Sequence, residues 1–183
     1  MRTFKRLWLL KVLLFAAIDV YAQGSKEIAL DPKEKATYVF NFIKFIDWPV
    51  SYQNSDFVVG VIGETPIYAE LEHLLAGKRI YNQLVVLKKF TDPNMSTRCH
   101  VVFVSEKYCS QMDCILSRFR PYSTLIVCER SGMVHKGSAI SFLAQNSKLG
   151  YEVNEDNIKN SRLQANSQLE LLASNSKKVN DQF

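Results

Sequence analysis

The chain has 183 residues, 47% hydrophobic and 22% charged, with a mean hydropathy of −0.09. Those proportions fit one ordinary globular domain and exclude a disordered, collagenous or coiled-coil chain. A formal net charge of +5 invites a nucleic-acid partner, but its position in the chain removes that reading.

Arg2, Lys5 and Arg6 open the chain, and an apolar stretch follows over 7–18, broken only by Lys11. Val20-Tyr21-Ala22 then places small residues two apart before Gln23. A charged start, a short apolar middle and a cleavage-like end read as a secretory signal peptide over 1–22, too short to span a membrane. The expected organisation is therefore a signal peptide over 1–22, one α/β domain over 23–173 and a polar, unstructured tail over 174–183, working in the periplasm or otherwise outside the cytoplasm. Without residues 1–22 the chain keeps 19 basic and 17 acidic groups, a net charge of +2. No basic stripe interleaved with aromatics remains, so no nucleic-acid partner is expected.

Asp31-Pro32-Lys33-Glu34 is a helix start: Asp accepts from free amides, Pro is pre-set for the first turn, and Glu completes a capping box. Ala36, Val39, Phe40, Ile43 and Ile46 follow at helical spacing, and Trp48-Pro49 is the expected stop. Phe57–Ile62 is a short apolar run with β-branched residues, a strand buried on both faces. Thr65-Pro66 starts a second helix over Ile67–Leu75, ended by Gly77, and 84–87 is a second strand. A third strand covers 99–104, with Ser105 placed to cap a helix over 106–118 that Pro121 ends; 124–128 is a fourth strand. Segments 139–143 and 150–154 flank a polar turn and read as an antiparallel hairpin. Asn154 caps a short helix over Glu155–Asn160, and 167–172 is another. Repeated strand–helix–strand units predict a single α/β domain: a mixed, mostly parallel sheet of about six strands, flanked by helices, with a C-terminal antiparallel hairpin.

Catalytic motifs are missing from the chain. It has no G-x-S-x-G elbow, no Walker lysine loop and no H-E-x-x-H helix. Cys99 and His100 are adjacent in a strand and point to opposite faces, so they do not converge on a metal. Neither an enzyme nor a cofactor is expected. Gly60-Val61-Ile62-Gly63 lies at a strand-to-helix turn, where α/β folds bind ligands. Gly63 and Ser105 therefore mark a candidate ligand pocket at the strand carboxyl ends.

The four cysteines, Cys99, Cys109, Cys114 and Cys128, allow three pairings in an oxidising compartment. On a regular helix Cys109 and Cys114 would be about 140° apart, with Cα atoms beyond the roughly 7 Å that a disulfide spans. Tyr108, Met112, Ile115, Leu116 and Phe119 form that helix's core stripe and Cys114 falls opposite it. Cys99 and Cys128 are buried strand thiols or disulfide partners, and the pairing stays open.

Tyr38-Val39-Phe40-Asn41-Phe42-Ile43-Lys44-Phe45-Ile46-Asp47-Trp48-Pro49 resembles the opening signature of the YfiR family. The strand and turn from Phe57 to Pro66, Gly77-Lys78, the strand over 84–87 and Cys99-His100-Val101-Val102-Phe103-Val104 are similar in order. So are Ile140-Ser141-Phe142, Tyr151-Glu152-Val153-Asn154 and Asn166-Ser167-Gln168-Leu169. The resemblance covers roughly residues 34–172. It departs at Gln145-Asn146-Ser147-Lys148-Leu149, in place of a shorter acidic-glycine turn, and at Asn82, where many relatives carry Gly. The resemblance implies a periplasmic, non-enzymatic regulator whose partner is a membrane-anchored signalling protein, of diguanylate-cyclase or sensor-kinase type, in a setting linked to biofilm formation. Phe40, Phe42, Phe45 and Trp48 form a dense aromatic group read first as core packing. Phe42 lies off the Val39–Ile43–Ile46 stripe, and where two or more are exposed together Phe42, Phe45 and Trp48 are the candidate partner-binding aromatics of the regulatory reading. A homodimer is compatible with it. The alternative is a small-ligand sensory module using the pocket at Gly63 and Ser105.

Overall fold

The computed structural model describes residues 31–145, 148–169 and 177–178. The expected signal peptide over 1–22 lies outside them, as does most of the expected tail.

Helix α1 is Pro32–Phe45, and the Asp31 carboxylate accepts the Lys33 amide at 3.0 Å. It ends before Trp48-Pro49, because Ile46–Asp47 becomes β1 and pairs antiparallel with β9, Gln164–Ala165. The other elements are β2 Phe57–Ile62, α2 Ile67–Leu75, β3 Arg79–Ile80, β4 Gln83–Phe90 and β5 Val101–Val104. They are followed by α3 Met112–Phe119, β6 Leu125–Cys128, β7 Ile140–Gln145, β8 Lys148–Val153 and α4 Glu155–Asn160. Residues 167–169 are helical, in the segment where a last helix was expected.

Seven strands, β2 to β8, form one curled, mostly parallel sheet in the order β8-β7-β6-β5-β2-β4-β3. The two-residue β10, Lys177–Lys178, pairs parallel with β8. From β2 the chain crosses through α2 to β4 on one side, then returns to build β5, β6 and β7 on the other. This is a doubly wound sheet whose switch point lies between β2 and β5. The mixed α/β expectation is borne out. The strand count exceeds about six because β3 and β10, at two residues each, are too short to show a pattern.

Strand alternation gives the sheet two buried faces. Val59, Val61, Val101, Phe103, Leu125 and Val127 join the core that holds α1 and α2. Ile62, Val102, Val104, Ile126 and Cys128 join the core that holds α3. The helix expected over 106–118 begins as a 3-10 segment, Glu106–Gln111, and becomes α-helical only at Met112. Met112, Ile115 and Phe119 of its expected stripe are buried. The hairpin β7–β8 pairs Phe142 with Tyr151, and the Asn154 side chain accepts the Asn157 amide to start α4.

Candidate functional site

The aromatic group of α1 and the turn after it is largely inside. Phe42 is fully buried, its ring edge-on to Tyr151 at 4.9 Å and 6.0 Å from Phe142. Curling of the sheet brings β7 and β8 over α1, so the helix face off the Val39–Ile43 stripe is also covered. Trp48 is buried against Phe57, edge-on at 5.0 Å. Phe45 alone of the three is half-buried. Phe42 and Trp48 therefore take the core-packing reading, and the condition for a partner-binding aromatic patch, two or more of them exposed together, is not met.

His100 anchors this buried cluster. Its Nδ1 accepts the Val58 amide at 3.0 Å, which leaves Nε2 to donate to the Tyr52 carbonyl at 2.9 Å. The ring stacks on Phe57 at 4.3 Å. Burial, together with nearby Arg98, holds its pKa below the usual histidine value, against the opposing hydrogen bond to Tyr52. Tyr52 in turn accepts the Ser123 amide through its hydroxyl at 2.7 Å, and Arg98 covers its ring at 3.8 Å.

At the carboxyl ends of the strands, Gly63 and Ser105 do meet, but by closing on each other. Gly63 has φ +90, and a Cβ there would collide with Ser105 Oγ and lie 2.6 Å from Tyr108 Cδ2. Ser105 is buried, with its Oγ lacking a hydrogen-bond partner. Ser105 and Tyr108 thus pack directly against Gly63. Beside it Glu129, just beyond β6, gathers Lys35 Nζ at 2.8 Å, the Thr65 hydroxyl at 3.3 Å and the Glu106 amide at 3.1 Å. This network ties α1, the start of α2 and the 3-10 segment to one strand end. Glu129 and Lys35, 94 residues apart, carry no spacing signal that reading the sequence could have found. A cavity of about 200 Å³ does exist between α3 and α4, lined by residues that include Leu116, Phe119, Thr124 and Asn157. It is smaller than the roughly 300–1,000 Å³ usual for ligand sites.

Cys109 and Cys128 form a disulfide with Cα atoms 6.5 Å apart, joining the 3-10 segment to the end of β6. Cys99 is free and buried, and burial pushes its thiol up to about 12 despite the pull of Lys88. Cys114 is free and exposed.

The exposed apolar groups gather elsewhere. Among the described residues the large exposed hydrophobic side chains are Val50 at 77%, Tyr81 at 45% and Leu84 at 41%. All three belong to the end of the sheet where β2 and β4 begin. Gln83 Nε2 holds the 50–55 segment against β4 by donating to the carbonyls of Tyr52, at 2.7 Å, and Ser55. The Tyr81 hydroxyl donates to Asp47 at 3.1 Å, which fixes the tip of the β3–β4 hairpin beside β1. A groove of about 490 Å³ runs between residues 53–56 and the hairpin. This end therefore has buried aromatics behind and exposed apolar side chains in front.

A family model described as YfiR/HmsC-like matches residues 32–174, from the first turn of α1 past β9. The chain belongs to the YfiR/HmsC-like family. The resemblance carried by the Lys44-Phe45 to Trp48-Pro49 signature is thereby borne out. The family is regulatory and non-catalytic, and it is periplasmic. Among the described residues no helix is long and apolar enough to cross a membrane. No curated protein matches the chain.

Proposed function

We propose that this protein is an exported regulator that binds the extracytoplasmic part of a membrane signalling protein, of diguanylate-cyclase type, and holds it inactive. Membership of the YfiR/HmsC-like family across residues 32–174 carries this reading. The gathering of Val50, Tyr81 and Leu84 at one end of the sheet supports a protein partner and nominates its contact surface. Repression of this kind needs tighter binding to the inactive than to the active conformation of the partner; equal affinity for both would shift nothing.

The test is capture and inhibition together. Purified protein is expected to retain one integral-membrane cyclase from detergent-solubilised membranes of its own cell, and to lower that enzyme's activity. Val50→Asp with Leu84→Asp, both on exposed positions, is expected to abolish capture while leaving the unfolding midpoint within a few degrees. Capture without inhibition, or no capture at all, would overturn the proposal.

A further inference from the structure

The edge of the main sheet beside that surface is open. Strand β4 runs 8 residues, Gln83–Phe90, but β3 pairs only with its first two, Gln83 and Leu84. One further outward bond runs from the Val85 amide to the Lys78 carbonyl at 3.0 Å. Val85 therefore points its backbone groups away from β2, and alternation turns those of Leu87 and Lys89 the same way. The opposite set faces β2, as the Phe90 carbonyl shows by accepting the Gly63 amide at 2.8 Å. Among the described residues nothing pairs with Leu87 or Lys89 on the outer side.

The side chains along this edge carry one sign. Lys78, Arg79 and Lys88 are exposed and make no ion pair among the described residues, while Lys89 meets Glu64 at 2.6 Å. Leu84 and half-buried Val86 stand on the same strand face as Lys88. Lysines on an edge oppose pairing with a second copy, which would bring two basic edges together. The same charges favour a strand of opposite sign.

Resting on the regulatory reading above, we propose that the outer edge of β4 is a strand-addition site for an extended, acidic segment of the membrane partner. Leu87 and Lys89 supply the main-chain bonds, and Leu84 and Val86 receive alternate apolar side chains. Acidic side chains, on the other face of the incoming strand, meet Lys89, and the nearby charges of Lys78, Arg79 and Lys88 add to the attraction. Such binding is steered by charge and weakens as salt rises.

The test uses the full chain with a short synthetic peptide alternating Glu and Val, and a counterpart with Lys in place of Glu. Amide hydrogen exchange reads the edge directly. The acidic peptide is expected to slow exchange at Leu87 and Lys89. The double variant Lys88→Glu, Lys89→Glu, folded by circular dichroism, is expected to bind it at least about tenfold more weakly. Equal binding of both peptides, or protection only at other strands, would overturn the proposal. So would protection of the same amides by self-association without peptide, which would assign the edge to a second copy. The variant also separates the two readings. If it captures and inhibits the cyclase as the parent does, the edge proposal fails and the regulator stands. If the parent inhibits no cyclase yet the acidic peptide protects Leu87 and Lys89, the regulator reading fails and strand addition at this edge is supported.

Discussion

His100 bonds the backbone of two segments at once, Val58 through Nδ1 and Tyr52 through Nε2. Truncating it to Ala leaves the half-buried Val58 amide unsatisfied, at about 1–3 kcal/mol. It also removes one of the Tyr52 carbonyl's two donors, Gln83 Nε2 remaining, together with the ring's stacking on Phe57. His100→Ala is expected to lower stability by about 3 kcal/mol in urea unfolding. The ring also predicts a pH dependence. Its folded pKa is lowered, chiefly by burial, so the unfolded chain takes up a proton near pH 6.5 that the folded protein resists. The stability contributed by the neutral ring is complete above about pH 6.5 and falls as pH drops from there towards the lowered folded value. A His100→Asn variant is expected to lose that slope between pH 7 and pH 5, which urea titrations at each pH would measure. That His100 is buried was readable from its apolar strand. Its two bonds were not, because Tyr52 lies 48 residues away and its approach depends on the turn at Trp48-Pro49.

At the scale of elements, two connections decide how the pieces are held. The Cys109–Cys128 disulfide closes a loop with a sequence separation of 19, and chain-entropy reasoning assigns a loop of that length about 3 kcal/mol. Cys109→Ser with Cys128→Ser is expected to lose about that much in thermal unfolding, while Cys114→Ser, at an exposed free thiol, changes little. Helical spacing already argued against a Cys109–Cys114 bridge. It did not choose Cys128, whose approach requires the 3-10 segment to lie over the end of β6. The second connection is the β3–β4 turn, where Tyr81 and Asn82 have φ +47 and +68. Both lie in the left-handed region that a two-residue hairpin of this hand requires and that Gly enters without strain. Asn82→Gly is expected to raise stability by about 0.5 kcal/mol, and Asn82→Val to lower it by more than that, measured as shifts in unfolding midpoint. Asn is the commonest substitute for Gly in that conformation.

For the whole molecule, the doubly wound sheet places the exposed end of β2 and β4, the open β4 edge and the strand carboxyl ends in different regions. The inhibition of a cyclase proposed for this chain is expected to rise with concentration and saturate. The plateau is set by the ratio of its affinities for the two partner conformations. Residual activity that falls without limit as protein is added would point to aggregation or substrate depletion instead. Activity assays over a concentration series distinguish these results.

Read by itself, the sequence determined the helix start at Asp31-Pro32, the buried strands 57–62 and 124–128, the α/β class and the family resemblance. These rest on local caps, short apolar runs and motif order, all written within a few residues of one another. Only the tertiary structure decided that Phe42 and Trp48 face inward and that Ser105 packs directly on Gly63. It likewise decided that Glu129 gathers Lys35 and Thr65, and that the outer edge of β4 is left open. Each of those depends on which distant strands become neighbours, and on how far the sheet curls over α1. Neither is encoded at any single spacing along the chain.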